Sequence, residues 1–332
     1  MSRNLQFEQW LAQHYAARRF TFAPASEDAS FRRYLRVTPE TGPTAILMDA
    51  PPEREDCRPY VEVARLFAAA GVHVPGVLAA DLENGYLLLS DLGSRTYLQA
   101  LRDKRSAPAL YDDATDALVR IQLASRPGVL PPYDRALLLR EMRLFPDWYV
   151  AKHLGVTLTA AQNEALDLVF QRILANNLAQ PCVYVHRDYH SRNLMVTTPN
   201  PGILDFQDAV YGPITYDLVS LLKDAYVSWD EAMVLDWAVR HWEKARKAGL
   251  PVGSDFAAFY RDFEWMGAQR HVKVLGIFAR LFHRDGKNGY LKDMPLVLRY
   301  LRQACERYSE LHPLLRLLDQ LEHRQPSAGY TF

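Results

Sequence analysis

The hydrophobic pattern of this chain changes period once, near residue 96, and that break constrains its fold more than any other feature. Before it, apolar residues come in short runs of strand character: Thr21-Phe22-Ala23, Tyr34-Leu35-Arg36-Val37, Thr44-Ala45-Ile46-Leu47-Met48, Val77-Leu78-Ala79-Ala80 and Tyr86-Leu87-Leu88-Leu89. Thr41-Gly42-Pro43 and Glu83-Asn84-Gly85 separate pairs of these runs as turns, so two hairpins are expected. An amphipathic helix over 5–17 and an alanine-rich helix over 60–70, closed by Gly71, complete this region. After the break, helical spacing runs through about 108–124, 134–150, 159–177, 216–226, 230–248, 254–282 and 290–308. Cys182-Val183-Tyr184-Val185, Leu194-Met195-Val196 and Gly202-Ile203-Leu204 are the short strands between them. The expected class is α+β: a small antiparallel β-rich lobe over 1–92, joined near Ser90-Asp91-Leu92-Gly93 to a larger helical lobe over 93–332.

The 332 residues, 49% hydrophobic and 23% charged, support a sizeable core. Lys plus Arg number 39, as do Asp plus Glu, so no global field draws the chain to nucleic acid or to an anionic membrane. Cys57, Cys182 and Cys305 are scattered and form no CxxC pair, which supports neither a zinc site nor a disulfide framework and suits a reducing compartment. The first eight residues lack a secretory apolar run, and no stretch reaches the ~20 apolar residues of a bilayer span. A cytoplasmic monomer acting on a small molecule, with no nucleic-acid or membrane partner, is expected.

Chemistry is concentrated in Val185-His186-Arg187-Asp188-Tyr189-His190-Ser191-Arg192-Asn193-Leu194-Met195, between two short apolar strands. Twelve positions beyond Asn193 comes Asp205, within Gly202-Ile203-Leu204-Asp205-Phe206-Gln207-Asp208. An isolated His-x-Asp says little. Its combination with the Asn at this offset and with Ile-Leu-Asp-Phe downstream matches the catalytic and metal loops of phosphoryl-transfer enzymes. Such a reaction needs little covalent help from the protein: the acceptor oxygen must be aligned with the γ-phosphorus and the phosphate charge neutralised. Asp188 suits the acceptor hydroxyl, while the Asn193 amide oxygen and the Asp205 carboxylate suit Mg²⁺, a hard cation. ATP and Mg²⁺ are the expected cofactors.

On these residues the chain resembles the aminoglycoside phosphotransferase and choline kinase-like family, small-molecule relatives of the protein kinases, over nearly its whole length. The resemblance implies a bilobal protein-kinase-like fold, Asp188 as catalytic base, and Asn193 and Asp205 as Mg²⁺ ligands. Gly212-Pro213-Ile214-Thr215-Tyr216-Asp217-Leu218 resembles the family's segment in which an Asp braces the catalytic loop, which gives Asp217 that role. The alternative for Asp217 is a carboxylate favoured by a helix N-terminus. More narrowly, Asp28-Ala29-Ser30-Phe31-Arg32-Arg33-Tyr34, Gln269 to Phe278 and Arg284-Asp285-Gly286-Lys287 resemble the family's bacterial anomeric sugar kinases. That likeness implies phosphorylation of the C1 hydroxyl of N-acetylmuramate and N-acetylglucosamine to α-1-phosphates in peptidoglycan recycling. The rival readings are an aminoglycoside, choline or homoserine kinase, and a nucleotide-binding pseudokinase module.

The chain departs from the protein-kinase pattern on the nucleotide side. Met48 stands where a strand lysine would hold phosphates, and Ser26-Glu27-Asp28-Ala29-Ser30 has no glycine where a Gly-rich loop is expected. Arg32 or Arg33 can supply the missing charge, and strand alternation allows only one of them to face a nucleotide; Arg33 is preferred. Glu62 is the counterpart of the kinase helix glutamate, and Ser90 and Leu92 would lie where backbone groups read adenine. On the acceptor side, His190, Asp208, Tyr226, Arg270 and Lys273 are candidate contacts, with Trp229, His271 and Arg280 nearby in sequence. An aminoglycoside is a polycation and calls for carboxylates. The segment 254–282 instead carries Arg261, Arg270, His271, Lys273 and Arg280 against Asp262 and Glu264, which favours a neutral or anionic acceptor.

Overall fold

The computed structural model describes residues 3–15, 19–26 and 32–322. Its elements are, in order, α1 (Arg3–His14), β1 (Phe20–Ser26), β2 (Arg33–Pro39), β3 (Ala45–Asp49), α2 (Arg58–Ala69), β4 (Val77–Asp81), β5 (Tyr86–Ser90), α3 (Tyr97–Ala100) and α4 (Ala107–Leu123). Then come α5 (Arg135–Leu144), α6 (Ala160–Ala179), β6 (Cys182–Val185), β7 (Leu194–Met195), β8 (Gly202–Ile203) and β9 (Val210–Pro213). The chain ends through α7 (Tyr216–Leu222), α8 (Glu231–Lys247), α9 (Phe256–Asp285), α10 (Met294–Arg307) and α11 (His312–Leu321). Two compact units result: residues 1–121 with 192–209, and residues 122–191 with 210–332.

The first unit is built on a five-stranded antiparallel sheet in the order β1-β2-β3-β5-β4. Alternation along the strands puts Val37, Ala45, Leu47, Tyr86 and Leu88 on one face, where they bury against Phe7 and Leu11 of α1. Burying each large apolar side chain contributes about 1.5–3 kcal/mol, enough to fix the register and the face that α1 covers. The β7–β8 hairpin belongs to this unit. Backbone bonds stitch it there, from the Ile203 amide to the His73 carbonyl and from the Val196 amide to the Arg95 carbonyl, each 2.8 Å.

The second unit holds the β6–β9 ladder, in which Val185 lies opposite Val210, and the helices from α5 onward. At its centre is α9, 30 residues and about 45 Å long, almost wholly buried from Phe263 to Phe278. Gly276 lets α9 cross the end of α5, since a Cβ there would lie 2.4 Å from the Leu144 carbonyl carbon. The helix expected over 134–150 is divided. α5 stops at Leu144 and the chain continues as a π-helix over Phe145–His153, because Pro146 has no N–H to give to the preceding turn. β9 is a strand beyond those expected from the sequence. No helix among the described residues is long and apolar enough to cross a membrane.

Candidate active site

Among the described residues only two non-glycines adopt positive φ, Arg187 at 76° and Asp205 at 61°, and each sits in one of the two motif segments. Left-handed backbone at a side-chain-bearing residue costs of order 1–3 kcal/mol and persists only where surroundings over-determine it. In both segments the surroundings are visible.

The segment leaving β6 lies in the helical unit. Asp217, in the first turn of α7 and fully buried, accepts from the amides of His186 (2.6 Å) and Arg187 (3.0 Å). The buried His186 ring accepts at Nδ1 from the Asp188 amide (3.2 Å), and the Arg187 carbonyl accepts from Arg270 Nη1 (3.0 Å). Asp217 thus braces the loop directly, which a carboxylate merely favoured by the helix dipole would not do.

Around this loop Glu141, Asp217, Arg270 and Lys273 are buried, beside the half-buried Arg187 and Asp188. Glu141 of α5 receives the Arg187 guanidinium, Lys273 Nζ at 3.0 Å and the Tyr133 hydroxyl. Lys273 also donates to the Tyr216 hydroxyl at 3.0 Å, and Arg270 lies over the Tyr216 ring. Burial works to raise the Asp188 pKa, but the charges of Lys273, Arg270, His190 and Arg187 outweigh it and bring it down to about 2. Burial lifts the Asp217 pKa to about 7 despite its two amide hydrogen bonds and the Arg270 charge. Arg270 and Lys273, read from the sequence as acceptor contacts, are 5% and 4% exposed, with donors committed to Arg187, Tyr216 and Glu141. His190 and Tyr226, also read as acceptor contacts, have their rings 5.4 Å apart and T-shaped. Glu141 was missed. Its signal was a carboxylate on the apolar stripe that runs from Leu138 and Met142 of α5 to Phe145 beyond its end.

The second segment lies in the β-rich unit. Asn193 leads into β7 and its carbonyl accepts from the Leu204 amide (2.9 Å), which draws the two ends of the hairpin together. Asp205 Oδ2 accepts from the Asn193 amide nitrogen at 3.3 Å, and Oδ1 from Gln207 Nε2 at 2.8 Å. Phe206 is fully buried against Tyr60 and Phe67 of α2, at ring distances of 4.8 and 5.8 Å. No group of three or more His, Cys, Asp or Glu side chains gathers as a metal cage among the described residues. The donor set is instead one amide and one carboxylate oxygen side by side. That fits Mg²⁺, which keeps several waters and shares its shell with substrate phosphates.

The nucleotide-side expectations are partly rearranged. Arg33 turns to the α1 face, where it pairs with buried Asp49, donates to Asn4 at 3.1 Å and lies over Phe7. Arg32, on the opposite face, donates to Glu55 at 2.9 Å. Burial opposes its charge, but Tyr34, Glu55, Asp205 and Asp208 raise its pKa. The preferred Arg33 is thus committed to Asp49 on the sheet face that α1 covers, while Arg32 pairs with Glu55 on the other face. Glu62 is exposed, turned away from the α2 face that meets Phe206, and Glu55 is the acid against Arg32. Asp208, read as an acceptor contact, is exposed and belongs with Arg32 and Asp205 in the β-rich unit. Ser90 is tied to Gly76 through its amide and hydroxyl, each 2.8 Å. Leu92 closes over Gly202, where a Cβ would lie 2.9 Å from its Cδ1. Residues 27–31, expected in place of a Gly-rich loop, lie outside the described residues.

The phosphotransferase enzyme family matches residues 21–253, about 70% of the chain. The chain belongs to that family. It is 50% identical over 336 residues to the N-acetylmuramate/N-acetylglucosamine kinase of Neisseria meningitidis, covering 100% of both chains. It is 53% identical over 299 residues to the kinase of the same name from Pseudomonas aeruginosa, covering 90% of this chain and 88% of that one. Among solved structures, a choline/ethanolamine kinase family protein from Mesorhizobium loti superposes with a TM-score of 0.64 at 16% identity, over 96% of this chain and 100% of its own. An ADP-bound aminoglycoside phosphotransferase does so at 0.59 and 13% identity, over 89% and 97%. The fold of this family member is the protein-kinase-like α+β fold.

Proposed function

We propose that the chain is a kinase that transfers the γ-phosphoryl group of ATP to the C1 hydroxyl of N-acetylmuramate and N-acetylglucosamine, giving the α-1-phosphates in peptidoglycan recycling in the cytoplasm. The observation that carries this reading is the end-to-end 50% identity to a kinase of that name.

The geometry supports it through Asp188. A carboxylate held near a pKa of about 2 is always ionised at working pH and is a weak base. It orients an acceptor hydroxyl well, and it takes the proton once bond formation to phosphorus has made that hydroxyl strongly acidic. An anomeric hydroxyl, more acidic than an ordinary alcohol, suits such a base. Arg187, Arg270 and Lys273 keep Asp188 charged, Asp217 holds its backbone, and His190 and Tyr226 form the nearby acceptor wall. Asn193 and Asp205 would hold Mg²⁺, which supplies neutralisation of phosphate charge when bound. Arg32 takes the place of the missing strand lysine as the phosphate cation, and the backbone near Ser90 and Leu92 receives adenine.

Phosphorus NMR of reactions containing ATP, Mg²⁺ and each amino sugar tests the assignment. The expected product signal couples to the anomeric proton. Transfer to choline, homoserine or an aminoglycoside instead, or ATP hydrolysis with no sugar phosphate, would overturn it.

A further inference from the structure

Gln207 stands where the metal loop of the protein kinases has the glycine of Asp-Phe-Gly, so this chain carries a side chain at a position the template leaves bare. Its backbone is fixed by a tight turn, in which the Ala209 amide donates to the Phe206 carbonyl at 3.0 Å. Phe206 is itself fully buried against α2. Gln207 is 7% exposed, and Nε2 of its amide donates to Asp205 Oδ1 at 2.8 Å. Chemistry dictates the orientation of that amide. An ionised carboxylate only accepts, so the nitrogen must face Asp205 and the oxygen must face elsewhere. Oε1 is buried and has no hydrogen-bond partner among the described residues. A buried acceptor left unfilled is costly, and this one, beside a metal ligand, calls for a donor that the protein does not supply.

The two oxygens of Asp205 are thereby made unequal. Oδ1 holds the Gln207 amide at 2.8 Å, well within hydrogen-bond range, while Asn193 Nδ2 meets Oδ2 at 3.3 Å, past the usual range. An ion that takes one oxygen from each of Asn193 and Asp205 therefore belongs on the Oδ2 side. Chelation through both Asp205 oxygens would have to break the shorter bond. Mg²⁺ is small, demands regular geometry and keeps several of its waters. Ca²⁺ is larger, accepts more ligands and binds carboxylates through one oxygen or both.

We propose that Gln207 is a positioning residue that sets the ion preference of this centre. Its Nε2 reserves Asp205 Oδ1, so that the carboxylate offers Oδ2 alone, and its Oε1 accepts from a water in the shell of the bound Mg²⁺. Outer partners of this kind orient a metal ligand and tune the metal it holds. The one amide thus admits a small hydrated cation and disfavours a cation that gains from both carboxylate oxygens. This role rests on the kinase reading, in which Asn193 and Asp205 are the ion ligands, and deepens it.

Ion binding to the full-length protein with ADP held saturating tests this, with no turnover needed. Electron paramagnetic resonance follows bound Mn²⁺, and the readout is the concentration of Ca²⁺, and of Mg²⁺, that displaces half of it. Gln207→Leu keeps most of the side-chain bulk and removes both polar atoms. It should weaken Mn²⁺ binding about tenfold and lower the ratio of the Ca²⁺ to the Mg²⁺ displacing concentration about fivefold. Gln207→Glu puts a carboxylate in place of the donor, so the ratio should fall at least as far, with Mn²⁺ bound no more weakly than in the wild type. A side chain that only fills space would change the melting temperature and leave the ratio unmoved. The ratio must fall in each of the two variants that folds, and an unchanged ratio overturns the proposal. Asp205→Asn in the same assay separates the two levels. Loss of Mn²⁺ binding there, beside an unmoved ratio in the Gln207 variants, removes Gln207 alone and leaves the ligands standing. Undiminished Mn²⁺ binding in Asp205→Asn removes the ion assignment, and the role of Gln207 with it.

Discussion

The loop after β6 and the hairpin β7–β8 each carry one strained, chemistry-bearing residue, and they are held in opposite ways. Arg187 and Asp188 are set among fixed charges: Glu141, Asp217, Arg270 and Lys273, all buried and all hydrogen-bonded. Asp205 accepts from the side-chain amides of Asn193 at 3.3 Å and Gln207 at 2.8 Å, and Phe206 beside it packs against α2. Four buried charged groups thus surround Asp188 in the helical unit, while Asp205 in the β-rich unit shares its surroundings with the Arg32 guanidinium. On the proposed kinase reading, Asp188 stays charged throughout the cycle and Asp205 exchanges partners with Mg²⁺.

This contrast is broken most severely at Asp205. Asp205→Asn should lower kcat/KM more than 10³-fold, beyond the ~10²–10³ cost of one transition-state donor, because the ion serves binding and transition-state charge together. Titration of Mn²⁺ with ADP, followed by electron paramagnetic resonance, should show weakened ion binding in parallel. Wild-type kinetics in this variant would remove Asp205 from the metal site. Asp188→Asn should cost less, about 10²-fold and toward the low end of the ~10²–10⁴ typical of general-base help. Its loss should fall on kcat, with Mn²⁺ binding unchanged. Should the two substitutions affect ion binding equally, the proposed division of labour fails.

The arginine pair sharpens the comparison on the nucleotide side. Arg32→Ala should raise the KM for ATP about tenfold, as expected for loss of one hydrogen bond to a charged group. Arg33→Ala should leave that KM alone and lower the melting temperature, because it strips a partner from buried Asp49. The sequence could tell that the two arginines lie on opposite faces of the sheet, since alternation is local. Which face is covered depends on α1, joined to the sheet through residues distant in the chain, and no local pattern records that. Glu62 and Glu55 repeat the lesson: the phase of α2 is set by Tyr60 and Phe67 against Phe206. By contrast, hairpins, helices and the spacing of Asp188, Asn193 and Asp205 were legible because each depends on neighbours a few residues away. Arg270 and Lys273 were visible as cations, but their burial against Glu141 was not, so their part as field and loop supports emerges only from the fold.

The smallest expected effect concerns proton linkage at Asp217. Its folded pKa of about 7 lies above the ~3.9 of an unfolded Asp. Between those values the folded chain binds more protons than the unfolded one, so this group's contribution to stability is greatest below about pH 4 and declines as pH rises through 7. Asp188 has the opposite sign. Held at about 2, it contributes stability above ~3.9 that is lost as pH falls toward 2. Denaturant unfolding from pH 5 to 8 should therefore show a downward slope attributable to Asp217, with Asp188 silent in that window. Asp217→Asn removes the titration but keeps one acceptor oxygen for the amides of His186 and Arg187, so the slope should flatten while kcat falls about tenfold through a loosened loop. A slope unchanged in the variant would place the titrating group elsewhere. A flattened slope with full activity would show that the second amide hydrogen bond is dispensable for the left-handed turn at Arg187.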